Sequence, residues 1–319
     1  MIKPREVWND TDGKPIQAHG GGILHHAGVY YWFGENKDGP TSSPPNFRVD
    51  VIGVSCYSSR DLEHWRFEGL ALEAVPDDPS HDLHPSMVLE RPKVIRNPHT
   101  RQFVMFAHVD DADYALASVG VAVSERPEGP YTYLGSQRPC GFESRDLGVF
   151  QDDDGSAYLF FASTNPDLAE IAQNRGRNYT LRVVRLSEDY LRAESLVAEL
   201  FSGTHREAPA LFKHEGMYHL ISSGCTSWNP NAAEHATALS LEGSWTVLGN
   251  PCLGPRAETT FDSQGTFVLP LEGKSGKFVF MADRWNPANL SDSRYVWLPI
   301  QLQGEHLEIV WHDSWRLED

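Results

Sequence analysis

Four residues that can hold or exchange protons stand at equivalent places in this sequence, each at the start of a predicted apolar strand. Glu207 precedes a proline-started strand, and a polar turn at His214 to Gly216 joins that strand to a second one. Glu90, Asp146 and Gln264 open three further hairpins in the same way. An isolated glutamate before a strand is normally a solvated surface residue. The recurrence instead predicts one repeated architecture that brings these side chains together.

Carboxyl groups held close to one another can carry out general acid–base catalysis. Hydrolysis of a glycosidic bond with inversion needs a carboxylic acid that protonates the leaving oxygen. It also needs a base that activates water on the opposite face, with the pair roughly 6.5–9.5 Å apart. Crowding raises the pKa of at least one carboxyl group, because burial and like charges both disfavour ionisation. Position alone leaves open which carboxyl group holds the proton.

The hairpins belong to five segments of four short strands each, which predicts an all-β protein that folds as a single five-bladed β-propeller. The spacings lie near the ~40 to 50 residues of known propeller repeats, and helix-period patterns are almost absent. A β-sandwich also has many short strands, but it would not restart the same hairpin five times. The predicted blades are 16–85, 86–140, 141–202, 203–255 and 256–319.

The first strand of each propeller blade lines the central channel, so the residues that open the blades converge at one face. In this chain these are the His19/Gly20 region, Glu90, Asp146, Glu207 and Gln264. We therefore expect three carboxylates and an amide to face one another across a pocket.

The composition favours a neutral, sugar-like substrate. The formal net charge is −17, with 44 acidic against 27 basic residues, so phosphate backbones and anionic lipids should be repelled. Nucleic acid and membrane partners are not expected, whereas an oligosaccharide or polysaccharide is. The 9 Trp and 11 Tyr suit a cleft that stacks sugars, although any single aromatic is more commonly a core residue.

No apolar run reaches the ~20 residues of a transmembrane helix. The N-terminal stretch lacks the apolar core of a signal peptide. The chain as written is therefore expected in the cytoplasm, or in the periplasm or outside the cell if a signal was trimmed. The oligomeric state stays open.

The cysteines and histidines give no metal-binding pattern. Cys56, Cys140, Cys225 and Cys252 are widely spread and are expected to be buried thiols, with a bridge between Cys225 and Cys252 left open. The three aspartates at 152–154 precede Gly155 between two strands and predict a hairpin turn rather than a calcium loop. We expect no cofactor and no catalytic metal; a structural calcium or other ion in the channel stays open.

Two segments carry a resemblance to a known family. Residues 144–159 (SRDLGVFQDDDGSAYL) and 207–212 (EAPALF) resemble the third- and fourth-blade signatures of glycoside hydrolase family 43. That resemblance, which spans essentially the whole chain, implies a five-bladed propeller that hydrolyses with inversion. It also implies that Glu207 is the general acid and that Asp146 tunes its pKa and orients it.

The first blade departs from most of that family. An aspartate followed by proline, the general base, usually opens that blade, whereas Gln17 to Ile23 contains no carboxylate. The exo-β-1,3-galactanase branch also lacks the aspartate. The chain is similar to that branch at 19–22 (HGGG), 31–35 (YWFGE), 90–94 (ERPKV) and 260–264 (TFDSQ).

In that branch a glutamine is implied to hold the attacking water as its imidic acid tautomer within a proton relay, and Gln264 matches it. A neutral amide is a very weak base, so its expected role is positioning first and proton acceptance second. Glu90 is the rival base, or else a ligand for sugar hydroxyls.

Resemblance and position also suggest a set of substrate-binding residues: Glu35, Tyr114, Thr226, Trp228, Asn229 and Trp285. Trp228 lies in a polar, turn-rich loop, which favours a sugar-stacking role over packing. Trp285 could stack a sugar or plug the channel.

The sequence therefore predicts an inverting glycoside hydrolase, an exo-β-1,3-galactanase that releases galactose from the β-1,3-galactan backbone of arabinogalactan. The alternatives on the same fold are an α-L-arabinofuranosidase, a β-xylosidase or a galactofuranosidase. A non-catalytic carbohydrate-binding propeller is a third reading, because the first-blade aspartate is missing.

Overall fold

The computed structural model describes residues 1–40, 48–164 and 179–317. In these residues the chain forms 21 strands that are arranged in five antiparallel sheets, apart from one short parallel strand. The predicted five-bladed β-propeller is confirmed. Regular helix in the described part is limited to three short 3-10 segments at Pro139–Gly141, Ala257–Asp262 and Leu290–Asp292. None of the helices in this part of the chain is long and apolar enough to cross a membrane.

Each blade takes its strands from one continuous stretch of chain. Blade 1 contains β1 (His19–His26), β2 (Val29–Glu35), β3 (Gly53–Ser59) and β4 (Arg66–Glu73). Blade 2 contains β5 (Val88–Arg96), β6 (Phe103–Asp110), β7 (Ser118–Ser124) and β8 (Thr132–Gln137). Blade 3 contains β9 (Leu147–Gln151), β10 (Ala157–Thr164), β11 (Tyr179–Leu186) and β12 (Ala193–Leu200).

Blade 4 contains β13 (Arg206–His214), β14 (Met217–Gly224), β15 (Glu234–Ala238) and β16 (Thr246–Gly249). Blade 5 contains β17 (Cys252–Leu253), β18 (Gln264–Pro270), β19 (Phe278–Arg284), β20 (Arg294–Gln303) and β21 (His306–Val310). The short β17 pairs in parallel with the outer strand β21 and covers its edge. The fifth sheet therefore begins with β17, before the predicted end of blade 4 at residue 255.

The ring closes through its inner strands and its two chain ends. The inner strands β1, β5, β9, β13 and β18 each contact the next one around the axis, and β18 contacts β1. Near the two chain ends, Ile2 and Trp315 exchange two backbone hydrogen bonds of 2.9 and 3.0 Å. Trp8 packs edge-to-face against Trp32 of blade 1 and Trp297 of blade 5. Packing of aromatic side chains therefore holds the first blade to the last.

A one-residue register shift lies near the start of the inner strand in four blades. In blade 2, Lys93 pairs with Phe106, and regular counting would place Val109 opposite Glu90. Glu90 instead pairs with His108. Blades 1, 4 and 5 contain the same kind of shift in β1, β13 and β18. Such a bulge re-aims side chains, because one residue of shift moves a side chain to the other face of the sheet.

Blade 3 has a similar irregularity in its pairing just before β9. The carbonyl of Ala162 accepts the N–H of Arg145, whereas the N–H of Ala162 donates to the carbonyl of Asp146. Two consecutive residues thus oppose one, as in a bulge. All five blades therefore depart from regular pairing where they open into the channel.

The bulges place backbone strain next to the channel. Gly20, Arg91 and Ala208 have φ angles of 61°, 55° and 51°, in the left-handed region. For the two residues with a Cβ this conformation costs of order 1–3 kcal/mol each. The rest of the propeller must hold these residues in place.

All four cysteines are free. The bridge between Cys225 and Cys252 is not formed. The expectation of buried thiols holds for Cys56 and Cys252, whereas Cys225 is half-buried and Cys140 is exposed. Cys140 lies in the short helical turn between blades 2 and 3, which explains its exposure.

Gly21 allows the closest backbone approach in blade 1. A Cβ at this position would lie 1.7 Å from the carbonyl oxygen of Phe33. We expect Gly21→Ala to lower the free energy of unfolding by about 3 kcal/mol, at the upper end of overpacking effects, measured by urea denaturation. Gly135→Ala is the control: its φ is 113° and it has open space around it, so only strain of about 1–2 kcal/mol is added. Equal losses in both variants would contradict the steric argument.

Candidate active site

Arg91 connects the residues that open three blades. Its guanidinium donates to both carboxylate oxygens of Asp146, at 3.1 and 2.8 Å. The same group donates to Oε1 of Gln264 at 2.5 Å and to the carbonyl of Gly265 at 3.1 Å. The Arg91 side chain is only 6% exposed. A buried fork of this kind fixes the positions of both acceptors.

The Gln264 amide has every hydrogen-bonding position occupied. Its Nε2 donates to Oε1 of Glu207 and to Oγ of Ser223, both at 3.0 Å. Its Oε1 accepts from Arg91 and, at 3.2 Å, from the indole N–H of Trp285. Because guanidinium and indole groups only donate, they fix which amide atom is the oxygen. Gln264 is thereby locked with its nitrogen toward Glu207.

Glu207 is kept protonated at neutral pH by its surroundings. Burial, followed by the nearby negative charge of Asp146, raises the pKa of Glu207 to about 8. Attraction to Arg91 and a hydrogen bond from Gln264 oppose this rise without cancelling it. A carboxyl group with this pKa can donate a proton near neutral pH.

Glu90 lies in the opposite electrostatic environment. The Tyr114 hydroxyl donates to its Oε1 at 3.0 Å, and Nδ1 of His108 lies 3.3 Å from its Oε2. Nζ of Lys37 lies 4.0 Å from Oε1. Burial alone would raise the pKa of Glu90, but its contact with His108 and the Lys37 charge outweigh burial and lower the pKa to about 2. Glu90 is therefore ionised at any pH near neutrality.

His108 provides part of that positive charge. Its Nε2 lies 2.9 Å from Oδ2 of Asp110, and its Nδ1 faces Glu90. Burial alone would lower the pKa of His108, but the hydrogen bond with Asp110 and the Glu90 carboxylate on its other side raise it to about 9. The imidazolium thus stands between two carboxylates. The site contains one protonated and one ionised glutamate, an arrangement that separates an acid from a charge-stabilising group.

Glu35 supports this site from behind. It is buried, its Oε1 accepts the backbone N–H of Arg91 at 3.0 Å, and its Oε2 pairs with Lys37. The N–H of Arg91 belongs to the bulge of β5, so Glu35 stabilises that bulge. Glu35, which the sequence predicts to bind substrate, thus contacts Arg91 and Lys37 and holds them in position.

A carboxylate does stand beside the first-blade opening, although it comes from the fifth blade. Asp283 accepts from Gly20 N–H at 2.9 Å, and its other oxygen lies 2.9 Å from Nδ1 of His19. Both side chains are buried. Nearby, buried Lys93 donates to the Gly20 carbonyl at 2.8 Å, and burial lowers the pKa of Lys93 to about 7. Both oxygens of Asp283 are thus committed to the backbone and side chain of β1.

The loop after β14 contains the three predicted residues Thr226, Trp228 and Asn229. Trp228 packs edge-to-face on Trp285, with ring centroids 5.5 Å apart. Trp228 and Asn229 line a cavity beside Gln264, and Trp228 also borders the space next to Glu35 and Glu90. The Thr226 hydroxyl instead donates to the carbonyl of Asn229 at 2.5 Å, so it holds the loop together.

Five cationic or buried acidic members of this site were not among the predicted residues: Lys37, Arg91, His108, Asp110 and Asp283. Arg91 follows Glu90 directly, and neighbouring residues of a regular strand point to opposite faces. Only the bulge lets both serve one site. The same bulge brings His108 opposite Glu90. Regular pairing counted back from the hairpin turn would instead place Val109 opposite Glu90.

Glu90, His108 and Asp146 offer ligand atoms that all lie within 4.8 Å of one another. The three do not fit a cation well: His108 has its pKa raised and Arg91 already occupies Asp146. We assign no chemistry to a metal here, and the expectation of a metal-free site stays a prediction.

The chain is similar to known proteins over most of its length. The family model "Glycosyl hydrolases family 43" matches residues 21–278. The structure of a GH43 β-1,3-galactosidase with galactodeoxynojirimycin has a TM-score of 0.89 and 39% identity, covering 99% of this chain and 100% of that one. The structure of the exo-β-1,3-galactanase from Phanerochaete chrysosporium with galactose has a TM-score of 0.87 and 38% identity, covering 99% and 68%.

Curated relatives match over shorter stretches. A xylosidase/arabinosidase from Humicola insolens is 54% identical over 44 residues, which is 14% of this chain and 13% of that protein. A β-D-galactofuranosidase from Aspergillus niger is 29% identical over 150 residues, 43% of this chain and 40% of that protein. The chain therefore aligns with less than half of the length of these two proteins.

The raised pKa of Glu207 predicts a pH-dependent stability effect. Protonated in the folded state, Glu207 contributes stability below its ordinary pKa that is lost as pH rises toward about 8. Glu207→Gln stays neutral and should escape this loss. We expect the melting temperature of the variant, relative to the parent protein, to rise by about 3–5 °C between pH 5 and pH 8.5.

The control is Glu215→Gln, at the exposed tip of the same hairpin, where the side chain is 84% exposed. Its melting temperature should follow that of the parent protein at every pH. A Glu207→Gln difference that stays constant from pH 5 to pH 8.5 would contradict the raised pKa.

Proposed function

The chain belongs to glycosyl hydrolases family 43, and we propose that it is an inverting exo-β-1,3-galactanase that releases galactose from the β-1,3-galactan backbone of arabinogalactan. The observation that carries this proposal is the likeness over 99% of the chain to structures of a β-1,3-galactosidase and an exo-β-1,3-galactanase. The electrostatics of the site support the chemistry. A protonated glutamate supplies the acid that glycoside hydrolysis requires, and an ionised glutamate in the same site can stabilise the positive charge of the transition state.

In the proposed mechanism Glu207 donates its proton to the glycosidic oxygen as the bond to the anomeric carbon breaks. The carboxylate that results faces the Gln264 amide N–H at 3.0 Å and the charge of Arg91. Asp146 keeps the proton on Glu207 until that step, because its negative charge disfavours ionisation of Glu207. The Arg91 fork holds Asp146 at the distance that this requires.

We propose that Gln264 positions the attacking water. The tautomer with a proton on Oε1 would have to break the hydrogen bonds from Arg91 and Trp285. Gln264 holds the water in line with the anomeric carbon and so contributes through orientation. As the water oxygen bonds to that carbon and the glycosidic bond breaks, the proton that the water loses passes to solvent, from which Glu207 is later reprotonated. One of the four bonds of the amide would be exchanged for the water when substrate binds.

Glu90 is the ionised carboxylate in this proposal. With a pKa of about 2 it is a poor base, but its negative charge can stabilise the oxocarbenium-like transition state and accept sugar hydroxyls. Tyr114 and His108 orient the carboxylate for that role. We place Tyr114, Trp228 and Trp285 around the sugar and Glu35 behind it.

The alternative sugars correspond to the shorter matches with a xylosidase/arabinosidase and a galactofuranosidase. Neither match extends over the chain as the galactosidase and galactanase structures do. A purely binding propeller would not need a glutamate with its pKa raised to about 8 beside a glutamate whose pKa is lowered to about 2. We therefore retain hydrolysis of β-1,3-galactan as the proposal.

Product analysis tests the activity. After incubation with β-1,3-galactan, β-1,4-galactan and arabinan, we expect release of galactose from the β-1,3 polymer alone, with the α anomer seen first by NMR, because inversion converts β to α. Glu207→Gln protein should release none, and Glu215→Gln protein should match the parent. Arabinose release with no action on galactan would replace the substrate, and an initial β anomer would overturn inversion.

Asp146→Asn tests how the acid is tuned. Loss of the negative charge should lower the pKa of Glu207, so the alkaline limb of kcat/KM, set near pH 8 in the parent protein, should move to lower pH. The rate should also fall by about 100-fold, because the Arg91 fork loses its main partner. Asp153→Asn, at an 86% exposed turn position in the same blade, is the control. An alkaline limb that stays in place would show that Asp146 does not tune Glu207.

A further inference from the structure

A second cavity adjoins the proposed catalytic site on the side of blade 5. It encloses about 310 Å³ and reaches Gln264. Trp228 and Trp285 form aromatic walls, and Arg256 and Arg284 lie on its lining. Neither arginine takes part in the proposed hydrolysis. The cavity is large enough for one small ligand group, at the lower end of typical ligand sites.

The charged groups that line this cavity are unbalanced. Arg256 and Arg284 both pair with Asp262, through Nε at 2.5 Å to one carboxylate oxygen and through Nη2 at 2.9 Å to the other. The Asp262 side chain is 8% exposed, whereas those of Arg256 and Arg284 are 55% and 36% exposed. One buried carboxylate thus holds two guanidinium groups that stay accessible. The lining has a net positive charge in a protein whose formal net charge is −17.

This pair of arginines is held by a strained piece of backbone. Thr260, Phe261 and Asp262 have φ angles of 52°, 60° and 62° in succession. Left-handed conformation costs roughly 1–2 kcal/mol for each residue with a Cβ. Strain of this kind is concentrated at functional sites. The turn places Asp262 beneath both arginines and leads within two residues to Gln264.

The same turn is tied to the opposite wall of the cavity. The Thr260 hydroxyl donates to the carbonyl of Asn231 at 2.7 Å and accepts the N–H of Ala233 at 2.8 Å. Asn231 in turn anchors the loop that contains Trp228, since its side chain bonds to both backbone groups of Gly224. The aromatic and cationic walls are therefore built as one unit.

We propose that this cavity is a subsite for a carboxylated sugar, a uronic acid substituent on the galactan chain, whose carboxylate is bound by Arg256 and Arg284. The inference rests on the proposed function. Guanidinium groups match the planar geometry of a carboxylate, and the Trp228 and Trp285 rings offer apolar faces for a pyranose. A sugar bound here lies beside Gln264, so a substituent on the galactose being cleaved, or on its neighbour, would reach it.

Binding can be tested without catalysis. We would titrate the protein with methyl β-D-glucuronide, methyl β-D-glucoside and inorganic phosphate, and follow the fluorescence of the tryptophans that line the cavity. The expected result is that the glucuronide binds at least tenfold more tightly than the glucoside and more tightly than phosphate. Equal binding of the two glycosides, or no binding of the glucuronide, would overturn the proposal. Phosphate binding as tightly as the glucuronide would make this a general anion site and also overturn it.

Arg256→Gln is the main variant, because Asp262 keeps its pair with Arg284 and the turn should survive. Glucuronide affinity should fall about tenfold in Arg256→Gln and further in Arg284→Gln, and Arg284→Lys should restore only part of the loss. Arg126→Gln, at an exposed arginine paired with Glu128, is the matched control and should bind as the parent does. Melting temperatures show whether each variant is folded. Unchanged glucuronide affinity in folded Arg256→Gln and Arg284→Gln would remove the arginines from the site.

Kinetic measurements test whether the subsite affects hydrolysis. On β-1,3-galacto-oligosaccharides with either a glucuronic acid or a galactose branch, the ratio of kcat/KM for the acidic over the neutral substrate should exceed one and fall about tenfold in Arg256→Gln. The ratio should also fall as salt increases, because exposed charges are screened. A ratio that neither exceeds one nor changes in the variant would contradict the role in substrate choice. Selective glucuronide binding without any galactan hydrolysis would refute the proposed activity and leave the uronate site standing.

Discussion

The buried Arg91 guanidinium is the group on which the rest of the site depends. It holds Asp146 through two hydrogen bonds, the Gln264 oxygen through a third and the Gly265 carbonyl through a fourth. Its own backbone N–H is held by Glu35. Four of the five blades thus meet at one residue. Breaking a buried ion pair by removal of one partner typically costs about 3–5 kcal/mol, because the remaining charge is left uncompensated.

Around this group the two glutamates acquire opposite protonation states. Burial and the Asp146 charge raise the pKa of Glu207, whereas His108 and Lys37 lower the pKa of Glu90 despite its burial. Both glutamates open an inner strand, so strand position does not distinguish them. The difference comes from neighbours supplied by other strands. A fold that places a second carboxylate near one glutamate and two cations near the other can thereby assign an acid and an ionised group from identical side chains.

Stability and function make different demands on this propeller. Each blade consists of consecutive strands, so no strand is shared between the first and last blades in the described residues. Aromatic packing of Trp8 with Trp32 and Trp297, and the bridge between Ile2 and Trp315, closes the ring instead. Trp8 also packs on Tyr295, whose ring stacks on His19 next to the left-handed Gly20. The packing that closes the ring therefore reaches the strained backbone of the first inner strand.

The five-bladed fold and the residues that open each blade can be predicted from the sequence, because alternating apolar strands and turn residues are local signals. Which side chains join them depends on the tertiary structure. Arg91, His108 and Asp283 enter the site because a bulge shifts the register by one residue, and regular alternation would turn each of them away or pair another residue in its place. Such a shift depends on how five inner strands pack around one axis, and no stretch of sequence contains that packing.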